Sequence, residues 1–233
     1  MALGFSCALL FAAWLLSDRP PLVEAEEAFP LERYKNPNSH EAIGNIIFET
    51  DSNGAIAKPA LVLDLKYNIG DAKIREGRAY FSDLNTTQIY CYDLRGKKIW
   101  MSAGKEGFSV FSKYFPLDIS PKGGLWVVNP GKKRFDRLDL NTGEFLESWN
   151  PHAKFAFKGG DPVQIIAFDG GFATMEAASN SVRIFDMEGR AKTVASDLAA
   201  QPEFYKMHAE QNDIAYFDGK KNIKLKGALP NRQ

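Results

Sequence analysis

The chain has 233 residues, 45% of them hydrophobic, and its 29 basic and 29 acidic side chains balance to a formal net charge of zero. That length and apolar content support one well-packed domain, and the absence of a cationic excess speaks against a nucleic-acid binder. The 17 phenylalanines sit mostly in short runs with β-branched neighbours, a pattern of strands and not of long helices.

In chain order, the first feature is an uncharged apolar run, ALGFSCALLFAAWLL at residues 2–16, too short for a comfortable membrane span. Asp18-Arg19-Pro20-Pro21 interrupts any helix, and Val23-Glu24-Ala25 supplies small residues for cleavage just before Glu26. Residues 1–25 are therefore expected to be a signal peptide, although no Lys or Arg precedes the run. The mature protein is expected to be secreted, periplasmic or on the cell surface, and not transmembrane. Cleavage removes Cys7 and leaves Cys91 alone, so no internal disulfide is expected. Cys91 lies between two tyrosines in a strand pattern, the setting of a small buried hydrophobe.

Residues 26–44 form a polar lead with Pro30 and Pro37, expected to be extended. The folded domain is expected over residues 45–233. It opens with two apolar strands, Asn45–Thr50 and Ala60–Leu65, around the turn signal Asp51-Ser52-Asn53-Gly54.

Three repeats follow. GRAYFSDLNTTQIYCYDLRG begins at Gly77, GLWVVNPGKKRFDRLDLNTG at Gly124 and GFATMEAASNSVRIFDMEG at Gly171, a period of 47 residues (124 − 77 and 171 − 124). Each is preceded by a short strand (Asp71–Ile74, Pro116–Ile119, Val163–Phe168). A glycine-led second strand ends on Asp83, Asn129 or Glu176, and a third ends on Asp93, Asp139 or Asp186. A fourth strand then exits at Lys98–Met101, Glu144–Trp149 or Ala191–Ala195. Apolar residues on both faces of the third strand imply a sheet covered on both sides. A degenerate fourth copy follows, Asp213–Asp218 matching the second strand and Gly219–Ile223 echoing Gly131–Phe135, and the chain stops before its fourth strand can form. Strand hairpins repeating at this length read as a β-propeller. If Ala60–Leu65 pairs with the last sheet, no raw edge remains. The fold expected is all-β: a small propeller of four-stranded blades, four to five of them, the last closed by an N-terminal strand.

The pattern G-x-[aromatic/apolar]-V-x-[D/N], turn, [I/F/V]-x-x-[aromatic/L]-D-x-x-G resembles NHL-type repeats and the broader six-bladed β-propeller group of exported bacterial proteins. The match runs best from Pro116-Leu117-Asp118-Ile119 through Gly143 and covers roughly residues 70–227. The resemblance implies a propeller; the chain departs from the group in being too short for six blades of this length.

Chemistry-bearing residues are sparse. His40, His152 and His208 stand apart with no metal-ligand spacing, and no Gly-x-Ser-x-Gly elbow occurs. The suggestive set is Asp83, Asn129, Glu176 and Asp218, each ending a second strand and so brought to similar heights in a ring. Such oxygens around a funnel are candidate ligands for Ca²⁺, the arrangement used by sugar-lactone hydrolases of the senescence-marker type, where the metal polarises a carbonyl. The Gly-Glu-Gly-Pro setting of those hydrolases is missing here. The competing reading is that each residue caps its own turn, which accounts for its recurrence in every repeat. Lys132, Lys133, Lys220 and Lys221 occupy matching turns, either as a basic rim for an anionic partner or as ordinary solvated loop charge. Trp126 and Trp149 lie in strands and are expected to pack between sheets.

These features read as an exported binding or scaffold module that presents one loop face to a protein, glycan or small ligand, with no cofactor expected. The alternative is a Ca²⁺-dependent hydrolase or lactonase using the funnel carboxylates. A third reading is a subunit of a larger envelope complex.

Overall fold

The computed structural model describes residues 23–25, 40–43, 45–50, 56–108, 115–150, 162–176, 179–188, 190–196, 207–210, 212–217 and 222–229. Nearly all of the regular structure there is β, in five antiparallel sheets. We label them I to V in the order in which they pack. Sheet I holds β2 (His40–Ile43), β3 (Ile46–Thr50) and β4 (Ile56–Val62). Sheet II holds β5 (Ile69–Arg75), β6 (Arg78–Asp83), β7 (Gln88–Asp93) and β8 (Lys98–Ser102). Sheet III holds β9 (Leu117–Ile119), β10 (Leu125–Asn129), β11 (Arg134–Leu138) and β12 (Phe145–Trp149). Sheet IV holds β13 (Pro162–Phe168), β14 (Gly171–Glu176), β15 (Ser181–Asp186) and β16 (Ala191–Ala195). Sheet V is ordered β17 (His208–Glu210), β18 (Asp213–Phe217), β19 (Asn222–Leu225) and β1 (Val23–Ala25). The three repeats are thus sheets II, III and IV.

The two-residue period of a strand sends alternate side chains to opposite sheet faces, and here both faces are buried. On β10, Leu125 and Val127 join one apolar cluster with sheet II, while Trp126 and Val128 join another with sheet IV. On β7, Tyr90 and Tyr92 face sheet I, while Ile89 and Cys91 face sheet III. Four such clusters weld the sheets in the series I–II–III–IV–V. The first strands lie side by side along the stack: β9 contacts both β5 and β13, and β2 contacts β5.

Turn chemistry follows the backbone angles. Glu76 and Gly77 both have positive φ, 51° and 73°, the signature of a type I′ hairpin. The hairpins β6–β7, β10–β11 and β14–β15 share a loop of equal length, whose last residue is left-handed each time: Thr87, Lys133 and Asn180, with φ of 53°, 50° and 44°.

Two expectations change in the N-terminal part. Ala60–Leu65 does not close the last sheet. Its first residues belong to β4, which pairs with β3. The strand completing sheet V is β1, with Val23 opposite Leu225 and Ala25 opposite Ile223, inside the segment read as the signal peptide. The extended lead also contains a strand: β2 pairs antiparallel with β3. The hairpin residues Asp51–Gly54 lie outside the described residues.

Candidate functional site

Antiparallel order in each four-stranded sheet sends the hairpin between the second and third strands to one edge. The connection to the next sheet leaves from that same edge. This edge carries the connections 103–116, 150–161 and 196–207, whereas the hairpin loops at the opposite edge are short, from 76–77 to 139–144. The sites nominated from sequence sit at the long-connection edge.

Asp83, Asn129 and Glu176 hold equivalent positions, each in the last pair of its hairpin: Asp83 opposite Gln88, Asn129 opposite Arg134, Glu176 opposite Ser181. All three are fully buried, and strand alternation turns each toward the preceding sheet. They do three different things there. Asp83 caps its own turn: Oδ2 accepts from Thr86 N–H at 3.1 Å and from Thr86 Oγ1 at 2.6 Å, and Oδ1 accepts from Asn68 N–H at 2.7 Å. Asn129 makes no side-chain cap bond to the 3-10 turn that follows it. Its Nδ2 donates to Asp136 Oδ2 at 3.1 Å and to Gly107 O at 3.3 Å. Glu176 forms a buried ion pair with Arg183 at 3.3 Å and accepts from Ser179 Oγ at 3.3 Å. Asp218 lies outside the described residues.

Asp83, Asn129 and Glu176 are thus placed alike at the ends of their hairpins, each with partners of its own. Among the described residues, no group of three or more His, Cys, Asp or Glu side chains is arranged to hold a metal ion. Within this set Asp83 caps its turn, and in every repeat the third-strand aspartates cap a turn as well. Asp93 accepts from Arg95 N–H and Lys97 N–H at 3.0 and 2.9 Å. Asp139 accepts from Asn141 N–H and Thr142 N–H at 2.8 and 2.9 Å, and Asp186 from Arg190 N–H at 2.8 Å. Hydrogen bonds from the Thr142 and Asn141 backbone hold the Asp139 carboxyl below its ordinary value.

A polar network sits where sheet III meets the connection from sheet II. Asp136, with its side chain 1% exposed, accepts from Ser148 Oγ at 2.6 Å. Arg134 Nε lies 2.7 Å from Asp136 Oδ1, off-line for a hydrogen bond, while Nη2 donates to Oδ2 at 3.3 Å. Arg134 also reaches Glu106, and Lys132 Nζ lies 3.0 Å from the same carboxylate. The hydrogen bond from Lys132 is the main reason that Glu106 titrates below its ordinary range. Lys132 is thus tied back to the connection and is no simple rim cation. Lys133 is exposed at this edge; Lys220 and Lys221 lie outside the described residues.

Residues that the sequence pattern did not single out join successive sheets. Asp71 on β5 accepts from Leu117 N–H of β9 at 3.1 Å, and Asp118 on β9 accepts from Ala167 N–H of β13 at 2.8 Å. Gln164 on β13 accepts from Met207 N–H ahead of β17 at 2.5 Å. Asp71 and Asp118 are one repeat apart, which was the available signal. Trp100 Nε1 donates to Leu140 O at 3.0 Å and Trp149 Nε1 to Met187 O at 2.7 Å, each reaching a turn at the opposite edge of the next sheet. Trp126 and Trp149 pack between sheets III and IV, as their strand positions implied. Cys91 is fully buried, and desolvation pushes its thiol up to about 11, so it stays protonated at neutral pH. His40 and His208 begin β2 and β17; His152 lies outside the described residues.

No family model matches the chain, and no curated protein matches it. A solved structure is similar in fold: a protein of unknown function from Bacteroides caccae, with a TM-score of 0.52 at 14% identity. The match covers 85% of this chain and 65% of that one, so the chain spans less than two-thirds of its neighbour's length. Both belong to the class of all-β proteins built from packed antiparallel sheets. Among the described residues, no helix is long and apolar enough to cross a membrane.

Proposed function

We propose that the five sheets close into a five-bladed propeller and that the protein is an exported binding module. Its long-connection edge would be presented to a protein or glycan. The observation that carries the ring is the length of the connections. β1 forms the outer strand of sheet V, and residues 26–39 then lead to β2, the strand of sheet I that meets β5. That segment equals 103–116, the link from β8 to β9, in length. The N-terminus thus supplies a repeat's fourth strand and its connection in the order used elsewhere, as a circularly permuted blade. The series I–V then returns on itself and leaves no raw terminal face.

The binding reading rests on the contrast between the two edges. One is built of short turns capped by Asp93, Asp139 and Asp186 and tied to neighbours by Trp100 and Trp149. The other carries every long connection, where recognition residues concentrate when a rigid scaffold holds them. The buried carboxylates below that edge are satisfied within the fold, so nothing in their geometry favours the Ca²⁺-dependent hydrolase. The test is binding of the purified protein to a polysaccharide array and to an envelope-protein fraction, beside the variant Lys105→Glu/Lys133→Glu. Loss of a bound species in the variant, at unchanged melting temperature, supports the reading. No binding, or binding indifferent to the substitutions, overturns it.

A further inference from the structure

The tripeptide Val23-Glu24-Ala25 has two incompatible roles. Its sequence ends a leader pattern with cleavage before Glu26, yet its backbone is β1, paired with β19 through Val23–Leu225, Glu24–Lys224 and Ala25–Ile223. Cleavage before Glu26 would strip β19 of its outer neighbour and leave its N–H and C=O groups exposed as a template for another chain. We infer that Val23–Ala25 belongs to the mature protein as its closing strand and that any leader peptide ends before Val23.

Three observations carry this. The pairing is antiparallel and in register along the whole of β1. Sheet V otherwise has only β17, β18 and β19, whereas the three complete repeats each form a four-stranded sheet. The distance along the chain from β1 to β2 equals that from β8 to β9, which fits β1 as the fourth strand of a blade. Sheet V also packs its β18 and β19 side chains Ile214, Tyr216, Ile223 and Leu225 against sheet IV. An open β19 edge would therefore weaken one of the four apolar interfaces.

The inference rests on the export reading only for the existence of a leader, and its test separates the two. The full chain is produced in an export-competent bacterial host, and the intact mass of the exported species is measured. A mass that retains Val23 is expected; one beginning at Glu26 or later overturns the inference. Retention of the unprocessed chain in the cytoplasm sinks the export reading instead, and the second measurement then decides the strand. In it, chains starting at residue 22 and at residue 26 are compared by thermal melting and amide exchange. The shorter chain is expected to melt several degrees lower, or to fail to fold, with faster exchange in Ile223–Leu225. Equal melting and equal exchange would show that β1 closes nothing.

Discussion

The indole of Trp100 in sheet II lies directly on Gly143 in sheet III: a Cβ built on that glycine would stand 2.5 Å from the ring. The same tryptophan donates Nε1–H to Leu140 O at 3.0 Å. A β-turn glycine with φ of +74° is thus also a seat for the neighbouring sheet's outermost aromatic. Gly143→Ala should combine a left-handed penalty of about 1–2 kcal/mol with an overpacking cost of about 1–3 kcal/mol. Gly96 has φ of +89° and open space around its Cα, so Gly96→Ala isolates the backbone part. Urea unfolding of both variants checks this, and equal losses would show that the ring contact contributes nothing.

Asp118 joins sheets III and IV through a buried hydrogen bond that it accepts from Ala167 N–H. Truncation to Ala leaves that donor without its carboxylate, an expected loss of about 1–3 kcal/mol. Asp118→Asn keeps an acceptor oxygen and should lose less. Chemical denaturation ranks the two, and an Asn variant as damaged as Ala would refute the acceptor role.

Thr174, on β14 beneath Glu176, is fully buried, and its Oγ1 has no hydrogen-bond partner among the described residues. Replacing the hydroxyl by a methyl group removes an unmet desolvation cost of about 1–3 kcal/mol. Thr174→Val should therefore raise the melting temperature. A lower one would place an undetected partner at that hydroxyl.

The Glu176–Arg183 pair is nearly inaccessible, with side chains 1% and 12% exposed. Breaking it from one side, by Glu176→Ala, should cost about 3–5 kcal/mol, whereas Glu176→Leu with Arg183→Met should cost far less. A double-mutant cycle reads the coupling. Because Glu176 already neutralises Arg183, adding Ca²⁺ or a chelator should leave the melt of the unaltered protein where it is. A Ca²⁺-dependent rise that disappears in Asp83→Ala would support the metal-site reading.

Asp139 gives the stability a pH dependence of predictable sign. Its folded carboxyl titrates below the ordinary value because Thr142 and Asn141 donate backbone N–H bonds to the charged form. Its contribution is therefore fully present above the unfolded carboxylate value, about 3.9. It fades as the pH falls through the depressed folded one. Asp139→Asn should flatten the acid limb of a stability–pH profile. An unchanged limb assigns acid sensitivity to other carboxylates.

The repeat was legible because local rules suffice for it. A period of 47 residues, glycine-led strands and recurring terminal aspartates define the hairpins of sheets II, III and IV to within a residue or two. Alternating apolar residues on both strand faces also announced sheets covered on both sides, and Cys91, Trp126 and Trp149 are buried as their strand positions implied. What each polar strand-end residue does was not legible. Asp83, Asn129 and Glu176 are alike in position, yet their partners (the Thr86 turn, Asp136 and Arg183) depend on side chains that reach across a hairpin or from a neighbouring connection. The identity of the closing strand was equally out of reach. Three residues before Glu26 and six between Ala60 and Leu65 are both plausible strands by composition. Pairing across nearly the whole chain is decided by which backbone arrives at β19 in register, a long-range contact that no local pattern encodes.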